Sequence, residues 1–182
     1  PETGRDSGTG GFAFAAATDI PLVRSLSDPA VRDDLGIPGS VDGKPVSWDG
    51  VEIAALRRED GADASCLNLY RSARPPILGA PPEFIRRGGF RFKASLARTT
   101  EEKGNPWLLL GPGGPEAAGG GPIPAVADEA TALWSLHLGL GGDLEVPDGR
   151  GGKARLRLVG LLGGSILQGS LIISEESLLA LY

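Results

Sequence analysis

The sequence predicts an α+β fold, and three observations carry that prediction. Short runs of period-two alternation, such as 51–56 and 154–162, are interspersed with capped helical runs such as 28–36. A hydrophobic fraction of 41% and a charged fraction of 23% are those of an ordinary folded chain. A length of 182 residues suffices for one domain, or for two small lobes sharing a core.

The elements follow in order. Residues 1–10 read as a disordered lead-in, and 11–17, with Phe12 and Phe14 on one face, as a strand. "SDPAVRDDLG" predicts a helix with Asp28 as N-cap, Pro29 at its first position and Gly36 as its stop. Val51, Ile53 and Ala55 alternate in 51–56, and Leu67 and Leu69 in 65–70. The Asp60-Gly61 turn signal between them makes a hairpin of the two runs. A short strand, "PILG", and a helical turn from Pro82 ended by Gly88 come next.

Residues 111–122, "GPGGPEAAGGGP", cannot hold regular structure and read as a linker between lobes. Beyond it, 123–127 is a strand and 128–138 a helix. Asp128 caps that helix, Glu129 complements its dipole, Gly139 ends it, and Ala130, Leu133, Trp134 and His137 share one face. "DLEV" and "ARLRLVGLL" are strands around a "PDGRGG" turn, with Leu156 and Leu158 alternating against Arg155 and Arg157. The stretch 158–173 reads as two buried strands turning at Gly163-Gly164, being too short and too interrupted for a spanning helix of about 20 residues. A last helix has Ser174 as N-cap, Glu175 and Glu176 in its first turn, and an apolar stripe of Leu178, Leu181 and Tyr182 that needs a partner surface.

Composition excludes several functions. A net charge of −5, with basic residues scattered, gives no footprint for nucleic acid or an anionic membrane. The single cysteine, Cys66, allows no internal disulfide and disfavours a cysteine-built metal site; it reads as a structural thiol on a half-buried strand. No secretory signal is visible in "PETGRDSGTGG". The chain lacks methionine even at position 1, so it reads as a segment of a longer protein.

The one histidine sits in "SLHLGLGGDLEV", with Ser135 two residues before it and Asp143 six after. Residues two apart on a helix do not face each other, and no nucleophile elbow is present, so His137 reads as packed or surface rather than catalytic. The glycine clusters lack the Lys-Ser or Lys-Thr of a phosphate loop and the spacing of a dinucleotide fingerprint. The carboxylate pairs Asp33-Asp34, Glu59-Asp60, Glu101-Glu102, Asp128-Glu129 and Glu175-Glu176 fall at turns or helix starts, where capping and solvation account for them. No residue stands out as catalytic, cofactor-binding or metal-ligating.

Four stretches, in order, resemble the extracytoplasmic domain of MacB/FtsX-like ABC-transporter permeases. They are 7–26; 60–85, with Cys66-Leu67-Asn68-Leu69 ahead of Leu78-Gly79 and Phe84; 122–146, with its Leu-Gly-Asp element; and 154–182. The element departs from the family pattern by one glycine, reading Leu140-Gly141-Gly142-Asp143, and family members run on beyond the position of Tyr182. The resemblance implies a two-lobed periplasmic domain: a mixed α/β porter-like lobe over 11–110 and a smaller, mostly-β lobe over 123–182. It implies a non-enzymatic domain, without cofactor, relaying ATP-driven helix motion at the outer face of the bacterial inner membrane. Its partners would be the parent chain's transmembrane helices, a cytoplasmic ABC ATPase, a second permease copy and a periplasmic adaptor or lipoprotein. Two other classes stay open: a secreted or cytosolic hydrolase using His137 or a carboxylate pair, and a free-standing lipid- or peptide-binding module.

Overall fold

Helix α1 (Pro29–Asp34) forms where its capping signals place it, with Asp28 Oδ1 accepting from Ala30 N at 2.9 Å. The computed structural model describes residues 4–19, 22, 24–61, 75–111 and 121–182. They fall into two compact units, 16–55 and the remainder, called the body here. The smaller unit holds α1 and a two-stranded antiparallel sheet of β1 (Ser40–Val41) and β2 (Lys44–Pro45). Within it the Arg32 guanidinium lies 4.5 Å above the Trp48 ring, an arrangement favoured by the ring's negative face.

The body is built on a seven-stranded mixed sheet. Its elements are β3 (Arg57–Glu59), β4 (Ile77–Ala80), α2 (Pro82–Arg87), β5 (Phe92–Ser95), α3 (Thr100–Gly104) and a 3-10 turn (Pro106–Leu110). Then follow β6 (Ile123–Asp128), a π-helical segment (Thr131–Leu136), β7 (Asp143–Pro147), β8 (Lys153–Leu162), β9 (Leu171–Ser174) and α4 (Glu175–Leu181). The strand order is β3-β4-β9-β6-β8-β5, and β7 also pairs with β8. The pairs β4·β9 and β6·β8 are parallel; the others are antiparallel. Strand β8 is long enough for β7 and β5 to share one of its edges, at residues 153–157 and 160–162.

Both faces are covered at the centre of this sheet, so β6 and β9 are buried along nearly their whole length rather than alternating, whereas β7 and the start of β8 leave one face open. One face carries Ala125, Ala127, Leu156, Leu158, Leu171 and Ile173, packed with Ala132 and Leu178. Here α4 finds the surface its apolar stripe needs: Leu178 is buried and Leu181 packs against the cluster, while Tyr182 stays exposed. Helix α4 can approach β4 because residue 79 is glycine. A Cβ there would lie 2.8 Å from Leu178 Cδ2 and 3.1 Å from the Glu175 Cα.

The opposite face is aromatic. Trp107 stands edge-on to Phe84, Phe90 and Phe92, with centroids 5.0, 5.7 and 5.3 Å away. Its indole N–H donates to Gly89 O at 2.8 Å. These rings come largely from 89–110, where the sequence reading offers no element. Thr99 and Glu102 form a full capping box that starts α3. Phe90 is held at φ 66°, outside any pattern-based expectation.

Residues 4–12 are not a disordered lead-in. They form successive turns (Ser7 N to Gly4 O, Gly10 N to Ser7 O, Phe12 N to Thr9 O) that strap across the aromatic cluster. Phe90 N donates to Arg5 O at 2.6 Å and Ile166 N to Gly8 O at 3.0 Å. Arg87 donates to Gly10 O at 2.8 Å and stacks over the Phe12 ring at 4.1 Å. The cause is the chain's need to cover the aromatic face, which a local reading of polar composition does not register.

Other expectations also change. The 11–17 run is not a strand: Phe12 docks on Phe84 while Phe14 is exposed, and among the described residues no strand pairs with it. Nor are 51–56 a strand; none of these residues is buried, and the pairing begins at Arg57, with β4 as partner. The 65–70 run, Cys66 included, lies outside the described residues, as do 112–120 of the linker. That linker is not a boundary between lobes. Strands on either side of it, β4 and β5 before, β6, β8 and β9 after, share one sheet. Strands β8 and β9 are joined by the loop 163–170 rather than a tight turn, with β6 lying between them. The start of α2 at Pro82, the Ser174-capped start of α4, the β7–β8 hairpin and β6 fall where expected. Among the described residues, no helix is long and apolar enough to cross a membrane.

Candidate functional site

Strand β6 ends in a buried carboxylate. Asp128 is 1% exposed, its Oδ1 accepting from Ala130 N at 3.0 Å and its Oδ2 from Ser165 N at 2.8 Å. The first bond is the cap that the sequence predicts; the second reaches across to the loop 163–170 and is not local. Glu129 then pairs with Lys93 at 2.9 Å.

The helix that follows takes a π register, a conformation found mostly as single-turn bulges and frequently at functional sites. Its inward residues are Thr131 and Ala132, with Leu136 packed against the core. The predicted apolar face is turned the other way: Leu133 is 49% exposed and Trp134 78%. The helix also stops earlier than Gly139. His137 takes the left-handed conformation at φ 53°, and Leu138 N closes the end on Ala132 O. Two buried side chains at its start and the loop beyond set the phase, overriding the 3.6-residue pattern. An exposed tryptophan beside an exposed leucine is the informative departure on this surface, since large apolar residues are normally covered.

Ser135, His137 and Asp143 do not assemble. Ser135 and His137 are exposed at the helix end, and no hydrogen bond joins the three among the described residues. Asp143 instead faces Arg157 across the β7–β8 pair, accepting from its Nε at 2.7 Å and its second nitrogen at 3.1 Å. Gly141 and Gly142, just ahead of Asp143, extend this pairing. Gly141 N donates to Leu158 O and Leu158 N donates to Gly142 O, with Gly141 at φ 82°. The carboxylate pairs are likewise engaged in structure: Asp34 with Arg24, Asp60 with Arg58, Glu175 with Arg57, and Glu102 in its capping box. Among the described residues, no group of three His, Cys, Asp or Glu could hold a metal ion.

The outward face of β7 and β8 is a ladder of opposite charges. Lys153 Nζ lies 2.8 Å from Glu145, and Arg155 Nε 3.6 Å from Asp143. Hydrogen bonding from Arg157, and then its charge, lowers the Asp143 pKa; Lys153 does the same to Glu145. Glu145 in turn raises the Lys153 pKa, first by hydrogen bonding. A lowered acid contributes fully above its unfolded value and loses that contribution as pH falls through the folded one; a raised lysine loses its own as pH rises. Amide protection in the 143–157 hairpin is therefore expected to be flat around neutrality. It should fall below the ordinary carboxylate range and again above the ordinary lysine range. Protection factors that stay level into acid would refute the ladder's role.

Among the exposed apolar residues described, Leu133 and Trp134 are adjacent in sequence and sit on a helix anchored by Asp128 and Thr131. The sequence places Leu133 and Trp134 on one helix face without telling that this face is turned outward. Only the partners of Asp128 and Thr131, thirty-seven and thirty-eight residues away, reveal the true phase. No protein-family model, curated protein or solved structure matches the chain.

Proposed function

We propose that the chain is the extracytoplasmic domain of a MacB/FtsX-like ABC-transporter permease, passing ATP-driven motion of membrane helices to substrate export or to envelope partners. The observation that carries this reading is the order of the four resembling stretches, three of which contribute elements to the body: β4 and α2, then β6 and β7, then β8, β9 and α4. In this reading the body is the porter-like lobe and 16–55 the smaller one. ATP is hydrolysed on a separate cytoplasmic subunit, and a second permease copy completes the transporter.

Anchoring of the N-terminal strap supports a mechanical role. A displacement of residues 4–12 meets the Phe90–Arg5 and Ile166–Gly8 hydrogen bonds and the Arg87 clamp, so it is resisted by the sheet rather than absorbed by slack chain. The exposed Leu133–Trp134 face favours a second, overlapping reading: a binding module whose ligand is a lipid, peptide or lipoprotein.

Topology mapping of the full-length protein tests the proposal. Alkaline phosphatase inserted within 16–55 is expected to be active, and an apolar run of about 20 residues should flank the domain. Inactive fusions at this site, with a cytoplasmic reporter active in their place, would sink it.

A further inference from the structure

We propose that the loop 163–170 is a latch that couples the N-terminal strap to the π-helical segment carrying Leu133 and Trp134. Four of the loop's backbone donors hold it, each going to a different neighbour. Gly163 N donates to Arg91 O at 2.8 Å, Ser165 N to Asp128 Oδ2 at 2.8 Å, Ile166 N to Gly8 O at 3.0 Å and Gly169 N to Thr131 Oγ1 at 2.8 Å. Apolar burial adds little: Ile166 is 45% exposed, and between Gly163 and Ser170 only Gly163 and Ser165 are buried. A segment tied by a few polar bonds and little buried surface opens at lower free energy than the strands it joins.

The two side chains that hold the loop also hold the helix. Asp128 caps the helix start, and Thr131 is the first residue of the π turn. Releasing the loop takes the Gly169 donor from Thr131 Oγ1 and the Ser165 donor from Asp128 Oδ2, so the π register loses two of the bonds that fix it. The strap enters through Gly8, whose backbone abuts the loop so closely that a Cβ would lie 2.0 Å from Gly164 O. Loop and strap therefore dock or separate together. The latch thus has two states, and the strap and the Leu133–Trp134 face each bias the same equilibrium. This device is a property of the body itself and does not rest on the permease reading.

Hydrogen exchange on the whole chain tests it through reciprocity, which any true coupling obeys. In Gly8→Ala the added methyl drives strap and loop apart without touching the helix. Exchange at 130–138 is expected to rise about tenfold, the loss of roughly one hydrogen bond, together with 163–170, while 123–127 hold. In Thr131→Val, which acts from the far side, exchange at 4–12 should rise likewise. Acceleration confined to each substitution's own neighbours overturns the latch. Should Gly8→Ala lose protection in 123–127 as well, Thr131→Val decides alone: faster exchange at 4–12 supports the coupling, and unchanged exchange there refutes it.

Discussion

Replacing Trp107 with alanine is expected to lower the unfolding free energy by about 3–5 kcal/mol, the range for truncating a large aromatic in a packed core. Trp107 is wholly buried, at 0% exposure, and it is the ring that Phe84, Phe90 and Phe92 all meet edge-on. Its removal therefore opens a void lined by three phenyl groups and the sheet. The surrounding elements cannot collapse into that void easily, because the strap above them is itself pinned at Arg5 and Gly8. Trp107→Phe should cost less, since it keeps an edge-on ring and loses chiefly volume and the bond to Gly89 O. Denaturant midpoints for the two variants, read by circular dichroism at constant m-value, check the order. An alanine variant within about 1 kcal/mol of the parent would mean that the aromatic face is not the core it is taken to be.

The second large effect is expected at Asp128. Changing it to alanine leaves Ser165 N–H buried without an acceptor and removes the cap from Ala130 N–H, at about 2–4 kcal/mol in total. The carboxylate was itself dehydrated in the fold, and losing that penalty offsets some of the cost. Asp128→Asn keeps one acceptor and turns the other into a donor that faces an N–H. It should fall between the parent and the alanine variant. Thermal unfolding of the three chains, with exchange at Ser165 N–H as a local readout, tests the ranking. An asparagine variant as stable as the parent would show that one of the two bonds contributes nothing, and exchange at Ser165 N–H tells which.

These two residues also mark how far the sequence could be read. Caps were legible because their signals are local: Asp28 before Pro29, Ser174 before Glu175-Glu176, and Asp128 before Glu129 all cap or start helices as their types require. Strands β6, β7 and β8 were legible from alternation and apolar runs. What failed was whatever depends on distant partners. The stripe of Leu133 and Trp134 obeys helical spacing, yet Thr131 turns inward because Gly169 needs its hydroxyl. The glycine- and proline-rich 111–122 looks like a boundary because composition carries no record of strand order. Trp107 had no local signature at all, since its partners come from α2, β5 and the residue between them. The candidate surface was therefore visible as residues and invisible as a surface.

The parallel pairing of β4 with β9 has a consequence for how the chain acquires its structure. Ile77 is in register with Leu171, so β4 has only the three-residue β3 beside it until β9 has been synthesised. The β7–β8 hairpin closes a short loop and can form early, whereas the β4–β9 contact carries a large loop-closure entropy. Folding of the body is thus governed by its longest-range pairing. While β4 waits, Ile77, Leu78 and the aromatic residues that follow are open to association with other chains, which makes this the stretch most exposed to misassembly.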